Sequence, residues 1–318
     1  MSKEILITGG TGMMGRHIDW RLEKNNISVD LSTSIEKEVS KKDGIYFADY
    51  TDPESIHRLA NGGYKVIFNM AGIADPKVCR KKPDLADQVN HQGVICLLEA
   101  VKKIPETKRP IIVLACSVLQ MDIQMPGIIG IDQPLKDTTE PYILSKNKMF
   151  YDSLPYLKDG LDIRFAFIAN TTGEGHPLGY FPTDIANQLI QSEKIIHGPV
   201  DHKRPFLHGK DAANMFFYGL TKLSSGDRFL VAGKQSTKLE DFMRTMMEVA
   251  EKTDVETYQD PKFGNPSPIK DINFDISQLE SLGYRQAFNI PDICRTLLLD
   301  RARVLRGEPL PQRRIVGY

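Results

Sequence analysis

Thr8-Gly9-Gly10-Thr11-Gly12-Met13-Met14-Gly15 follows the apolar run Ile5-Leu6-Ile7 and leads straight into Arg16-His17-Ile18-Asp19-Trp20-Arg21-Leu22. The order is strand, glycine turn, helix. Glycines let the backbone turn tightly and approach a ligand closely, and the helix N-terminus offers free N–H groups and the positive end of a dipole to a phosphate. Gly9, Gly12 and Gly15 stand three apart, unlike the G-x-G-x-x-G spacing of many dinucleotide folds. A turn of this kind between a strand and a helix predicts a bound dinucleotide pyrophosphate over Gly9, Thr11, Gly12, Met13, Met14 and Gly15, against the bland reading of a purely structural turn.

The rest of the chain sets limits. Its 318 residues suffice for two domains or one elaborated α/β unit. Lys+Arg and Asp+Glu both number 41, so no basic excess points to nucleic acid or an acidic membrane surface. The N-terminus shows no basic leader with an apolar core, and no apolar run approaches the ~18 residues of a membrane helix. Cys79, Cys96, Cys116 and Cys294 lack C-x-x-C spacing and read as reduced thiols. The expectation is a cytoplasmic protein with no metal site.

Strands are expected at residues 27–33, 44–49, 66–72, 110–117, 162–168 and 229–233, alternating with helices. That alternation predicts an α/β fold, a doubly wound parallel Rossmann sheet with a smaller C-terminal substrate-binding lobe. The dinucleotide domain is placed at residues 1–168, rejoined by about 206–250, and the lobe at 169–205 and 251–318. Asp52 and Pro53 read as N-cap and first residue of a helix. Thr237-Lys238-Leu239-Glu240 reads as a capping box for another. The position beside the adenosine ribose, at the end of the second strand, falls on Thr33 or Ser34. Neutral hydroxyls there tolerate a 2′-phosphate, which tips the cofactor expectation slightly toward NADP over NAD. Asp49, at the end of the third strand, is either a solvated loop acid or an adenine contact. Met70, Ala71 and Gly72 are small enough at a strand end for a flat cofactor to lie over them.

Tyr142 and Lys146 lie four apart, so a helix presents both on one face. Alone the pair is common. Placed after a strand ending in Ser117, in a chain that opens with a nucleotide turn, it predicts chemistry. An ammonium stabilises a phenolate, and the serine hydroxyl can hydrogen-bond the substrate oxygen. The three together form a proton donor and acceptor for a carbonyl–alcohol pair, as hydride transfer to and from a nicotinamide requires.

Taken together, the segments resemble the extended short-chain dehydrogenase/reductase family, in its NAD-dependent epimerase/dehydratase group acting on nucleotide sugars. The residues that carry the resemblance run in order over nearly the whole chain: the glycine turn, Asp49, Asn69-Met-Ala-Gly72, Asn90, Ser117, Tyr142-x-x-x-Lys146, Arg164 to Asn170, and Arg204-Pro-Phe-Leu-His208 before Asp211. The resemblance implies Tyr50, Asn90 and Ala169 at the cofactor beside Tyr142 and Lys146, with Ser117, Asn170 and Arg204 at the substrate. It also implies a homodimer formed through the helices after Asn90 and Tyr142. Family dehydratases carry an acidic pair just after the triad Ser/Thr, where this chain has Val118 and Leu119. A cysteine used for 3,5-epimerisation follows the triad residue, whereas Cys116 precedes it. The second diphosphate arginine is replaced by Lys262, Asn265 and Lys270. These departures favour a 4-epimerase or ketoreductase over a dehydratase. The reading from another class is a non-catalytic dinucleotide-binding sensor or scaffold, against which the intact Ser–Tyr–Lys set argues.

Overall fold

All four side chains of Ile5-Leu6-Ile7-Thr8 are buried, and a strand buried on both faces belongs in a parallel sheet covered by helices. The computed structural model describes residues 4–23, 27, 29–33, 41–42, 45–263 and 269–308. Its central sheet contains β1 (Ile5–Thr8), β2 (Val29–Thr33), β3 (Ile45–Phe47), β4 (Val66–Asn69), β5 (Ile111–Ser117), β6 (Ile163–Ile168) and β7 (Arg228–Val231). They lie side by side in the order β3-β2-β1-β4-β5-β6-β7. Every pair among these seven is parallel, and the two-residue strand Lys41–Lys42 joins β3 antiparallel at the edge. The order reverses between β1 and β4, where Thr8 stands opposite Asn69. Doubly wound sheets take their ligands in the crevice at the carboxyl ends of the strands at this point.

Eight longer helices cover the sheet or build beside it, among the described residues: α1 (Met13–Glu23), α2 (Pro53–Ala60), α3 (Gly93–Lys102), α4 (Pro141–Lys158), α5 (Phe181–Gln191), α6 (Gly209–Lys222), α7 (Leu239–Val249) and α8 (Ile290–Leu305). Helix α1 packs on α6, and α3 packs between α2 and α4. Helix α2 begins as its sequence dictates, with the Asp52 carboxylate accepting from the Glu54 and Ser55 amides and Pro53 first in the helix. A second core joins α5, α7 and α8 through Ile185, Leu189, Phe242, Met246 and Leu297.

One local expectation differs from the structure. Thr237 does not cap α7: it pairs with Arg204 in a two-residue antiparallel ladder. The cap position falls on Lys238, with no side-chain cap bond. Helix α7 packs on α5 and α8. An amphipathic stripe dictates that a helix buries one face and leaves open what that face meets.

Candidate active site

The glycine turn between β1 and α1 is built at close quarters. Gly9 sits at φ +61°, where a Cβ would lie 2.8 Å from the Met70 carbonyl oxygen and the Ala71 nitrogen. A Cβ on Gly15 would meet the Gly9 carbonyl oxygen at 2.5 Å. The turn therefore stays bare of side chains and lies directly against the end of β4. Side-chain bonds fix that junction. The hydroxyls of Thr8 and Tyr50 both donate to Asn69 Oδ1, at 2.8 and 2.6 Å, and the Ala71 amide donates to Thr8 Oγ1 at 3.1 Å.

The next loop is held by Asn90, on the π-helical turn Gln88–Gln92 before α3. Its Oδ1 accepts from the Ile73 amide at 2.7 Å, and its Nδ2 donates to the Ile73 carbonyl at 3.0 Å and to Ser145 Oγ at 3.2 Å. Asn90 thus ties the loop after β4 to α4 beside Lys146.

Strand β5 delivers Ser117, and a reciprocal cap keeps it in place. Ser117 Oγ accepts from the Leu119 amide at 3.2 Å, and the Ser117 amide donates to Gln120 Oε1 at 2.7 Å. Gln120 Nε2 in turn donates to Asn147 Oδ1 on α4 at 3.2 Å. On α4, Tyr142 and Lys146 are both buried on the face turned to β5. Lys146 Nζ donates to the Ala115 carbonyl at 2.8 Å. Burial pushes the Tyr142 phenol up to about 12, opposed by its hydrogen bond with Ser117. Burial lowers the Lys146 pKa. The phenol of this structure is therefore not brought toward neutral pH by the ammonium, because desolvation outweighs the favourable contacts.

One cavity of about 630 Å³ opens over these groups. It runs from the turn (Gly9, Gly12, Met13, Met14, Gly15) past Met70 and Gly72 to Ser117, Tyr142 and Lys146. It continues over Ala169 and Asn170 to Arg204. Arg204 is half-buried, its Nη1 donating to the Lys203 carbonyl at 2.7 Å. A groove whose floor admits no Cβ, at the switch point and beside a helix N-terminus, fits a dinucleotide.

The remaining candidates lie off the cavity wall. Thr11 and Tyr50 are buried within the structure, as is Asn90, and Ala71 contributes the amide bonded to Thr8. Asp49 is exposed and closes a turn by accepting from the Thr51 amide and hydroxyl, both at 2.8 Å. Thr33 ends β2, with its side chain outside the description, and Ser34 lies outside the described residues, as does Asn265. Cavity residues that the sequence reading did not name as cofactor or substrate contacts include Ile73, Val118, Leu119, His176 and Tyr180. Adjacency to Gly72 and Ser117 is a usable signal for the first three. Nothing local marks His176, whose Nδ1 lies 2.6 Å from Thr183 Oγ1 across a loop.

His208 and Asp211 link the sheet to the second core. Asp211 accepts from the Ala287 and Phe288 amides at 3.0 and 2.9 Å. His208 caps α6 by accepting from the Lys210 amide on Nδ1 at 3.0 Å. Its Nε2 donates to Thr296 Oγ1 on α8 at 3.1 Å, and its ring stacks on Phe288.

A model of the NAD dependent epimerase/dehydratase family matches residues 5–232, which span this sheet and the cavity. The chain belongs to that family. It is an enzyme of the nicotinamide-dependent epimerase/dehydratase type. Among its relatives is a Methanocaldococcus jannaschii protein provisionally named UDP-glucose 4-epimerase, 24% identical over 303 residues, which are 91% of this chain and 95% of the relative. The fold matches the UDP-glucose 4-epimerase of Thermus thermophilus, solved with NAD, at a TM-score of 0.78 and 19% identity over 94% of this chain and 99% of that one. It matches RMD of Pseudomonas aeruginosa, solved with NADPH, at 0.81 and 18% over 95% and 98%. Among the described residues no helix is long and apolar enough to cross a membrane.

Proposed function

We propose that this family member is a nucleotide-sugar 4-epimerase or ketoreductase. The observation that carries the reading is the single cavity reaching from the glycine turn through Ser117, Tyr142 and Lys146 to Arg204. The nicotinamide, when bound, supplies the acceptor and donor of hydride. The protein's own groups handle the proton. Tyr142 rests protonated, since burial holds its pKa at about 12, and gives its proton to a carbonyl oxygen as that carbon is reduced. Ser117 orients the same oxygen. Lys146 holds the nicotinamide ribose and balances the phenolate left behind. Met13, Met14 and Gly15 receive the pyrophosphate at the start of α1, and the cofactor preference is for NADP, since Thr33 and Ser34 offer no acid to a ribose hydroxyl. Asn170 and the guanidinium of Arg204 bind the substrate, Arg204 through a charge-assisted contact to phosphate. The second core, with α7 added to residues 169–205 and 251–318, acts as the substrate lobe.

The test is purified protein incubated with UDP- and GDP-hexoses and either NAD or NADP, followed by product analysis at C4. An inverted C4 without net cofactor reduction identifies an epimerase, and reduced cofactor formed with a ketone identifies a ketoreductase run in reverse. Retained or added nicotinamide with no turnover of any sugar contradicts both. We also propose a cytoplasmic homodimer, with the exposed Leu144 and Tyr151 of α4 at the contact. Sedimentation at micromolar concentration should return twice the chain mass of 35.8 kDa, and a monomer contradicts the dimer.

A further inference from the structure

Helix α1 opens on the glycine turn, and its first turn ends in Arg16. The Arg16 amide is fixed to the glycine turn by donating to the Gly12 carbonyl at 3.1 Å, and its side chain is buried. Arginine is seldom buried unless its surroundings hold it there. The guanidinium lies across Gly175, where a Cβ would stand 1.4 Å from Nη2 and 2.4 Å from Cζ. Gly175 follows β6 in the chain and lines the cavity together with His176, Pro177 and Tyr180. Its amide donates to Asp300 Oδ2 on α8 at 2.8 Å. Asp300 is buried too. Burial raises its carboxyl pKa, opposed by the Gly175 bond and by the charge of Arg16. His17, the next residue of α1, makes a second contact: a Cβ on Gly173 would lie 2.9 Å from His17 Nε2. The His176 amide donates to the Gly173 carbonyl at 3.1 Å, so residues 173–176 form one turn.

The glycine turn, the cavity wall and the second core thus meet at one guanidinium. Resting on the reading of the glycine turn as the pyrophosphate site, we propose that Arg16 is a positioning residue that couples the dinucleotide to the cavity wall. A dinucleotide seated on the glycine turn fixes the first turn of α1, and Arg16 passes that order to residues 173–176. Sites coupled in this way bias each other equally, so a substrate held by the wall strengthens dinucleotide binding by the same factor. The link suits arginine and not lysine, because a planar guanidinium covers Gly175 and faces Asp300 at once, whereas an ammonium is a single point. Thr171 and Thr172, just before the turn, are anchored separately by pairing with Leu207 and His208. The dependence on Arg16 is therefore confined to residues 173–176.

The experiment is hydrogen–deuterium exchange of the full chain, with and without saturating NADP and with NAD run alongside. In the wild type, the bound dinucleotide should slow exchange both in the first turn of α1 and in residues 173–176, by about ten-fold. The double variant Arg16→Met with Asp300→Asn removes both charges, leaves no lone charge buried and keeps an acceptor for the Gly175 amide. It should retain the slowing in α1 and lose it in residues 173–176. Arg16→Lys should retain the first and reduce the second several-fold, and it carries the test alone if the double variant does not fold. Equal slowing of residues 173–176 in wild type and variant means that the dinucleotide orders the wall directly, which overturns the inference. Slowing confined to α1 in the wild type also overturns it. Loss of the α1 slowing in the variant makes Arg16 a cofactor ligand and overturns its positioning role. If neither NAD nor NADP slows α1 in the wild type, the pyrophosphate reading itself falls and takes the inference with it.

Discussion

Tyr142 and Lys146 illustrate how much a single residue's environment decides. The i, i+4 spacing places both on one face of α4, and that much is readable from the chain alone. Their protonation is not, because it depends on burial that only the packed β5–α4 junction creates. With the phenol at about 12, the proposed mechanism has its proton donor in the working form at neutral pH and its proton acceptor scarce. Oxidation of the alcohol, which needs phenolate, should therefore speed up with pH, about ten-fold per unit between about pH 7 and pH 9. Reduction of the ketone should stay flat over that window. Initial rates in both directions across the range check this, and a flat oxidation profile would assign the proton to another group. Ser117 is equally legible by position, whereas Gln120 and Asn147, which hold it, are not. Their bond joins α4 to the turn after β5 across 27 residues, and no local pattern encodes such a partner.

Between elements, the sheet was legible because each βα unit carries its own signal: an apolar run, a turn residue, then helical periodicity. The turn after β1 has the sharpest consequence. At Gly15 a Cβ would strike backbone, the Gly9 carbonyl at 2.5 Å and Gly10 Cα at 2.6 Å, and backbone cannot rotate away as a side chain can. Gly15→Ala should weaken NADP binding by at least about ten-fold, or about 1.4 kcal/mol, and calorimetry measures it. Unchanged affinity would show that the turn does not carry the pyrophosphate. The contact of α1 with α6 was not legible. His17 is buried there and wedges against Gly209, whose Cβ would lie 2.2 Å from His17 Cδ2. Burial, with the nearby His208, lowers the His17 pKa to about 3. An unfolded His titrates near ~6.5 and binds its proton first. The stability gained from the neutral form is thus complete above that pH and is lost as pH falls toward about 3, at about 1.4 kcal/mol per unit. Thermal melts from about pH 7 to pH 4.5 should show Tm falling, and falling less steeply for His17→Gln. Parallel curves for the two proteins would place the acid sensitivity elsewhere.

At the scale of the whole molecule, the cavity is a property of neither core by itself. The sheet contributes the turn, β4, β5 and α4, and the chain beyond β6 contributes Asn170, His176, Tyr180, Phe181 and Arg204. Asp211 and His208 pin the two parts together through α8 and the segment before it. Family membership accounts for the first half, and on the proposed reading the second half decides which sugar is presented to Tyr142. That division explains why the family is more legible in the sequence than the second half of the cavity is. Tyr142 and Lys146 are placed by their spacing, while the cavity wall beyond β6 is assembled from loops distant in the chain. The account as a whole stands on Tyr142 as the group that exchanges a proton with the sugar oxygen. The most direct measurement is turnover and NADP affinity of Tyr142→Phe on the active nucleotide sugar. The account predicts a loss of turnover on the order of 10²–10⁴ with cofactor affinity nearly unchanged, and turnover near the wild-type rate would contradict it.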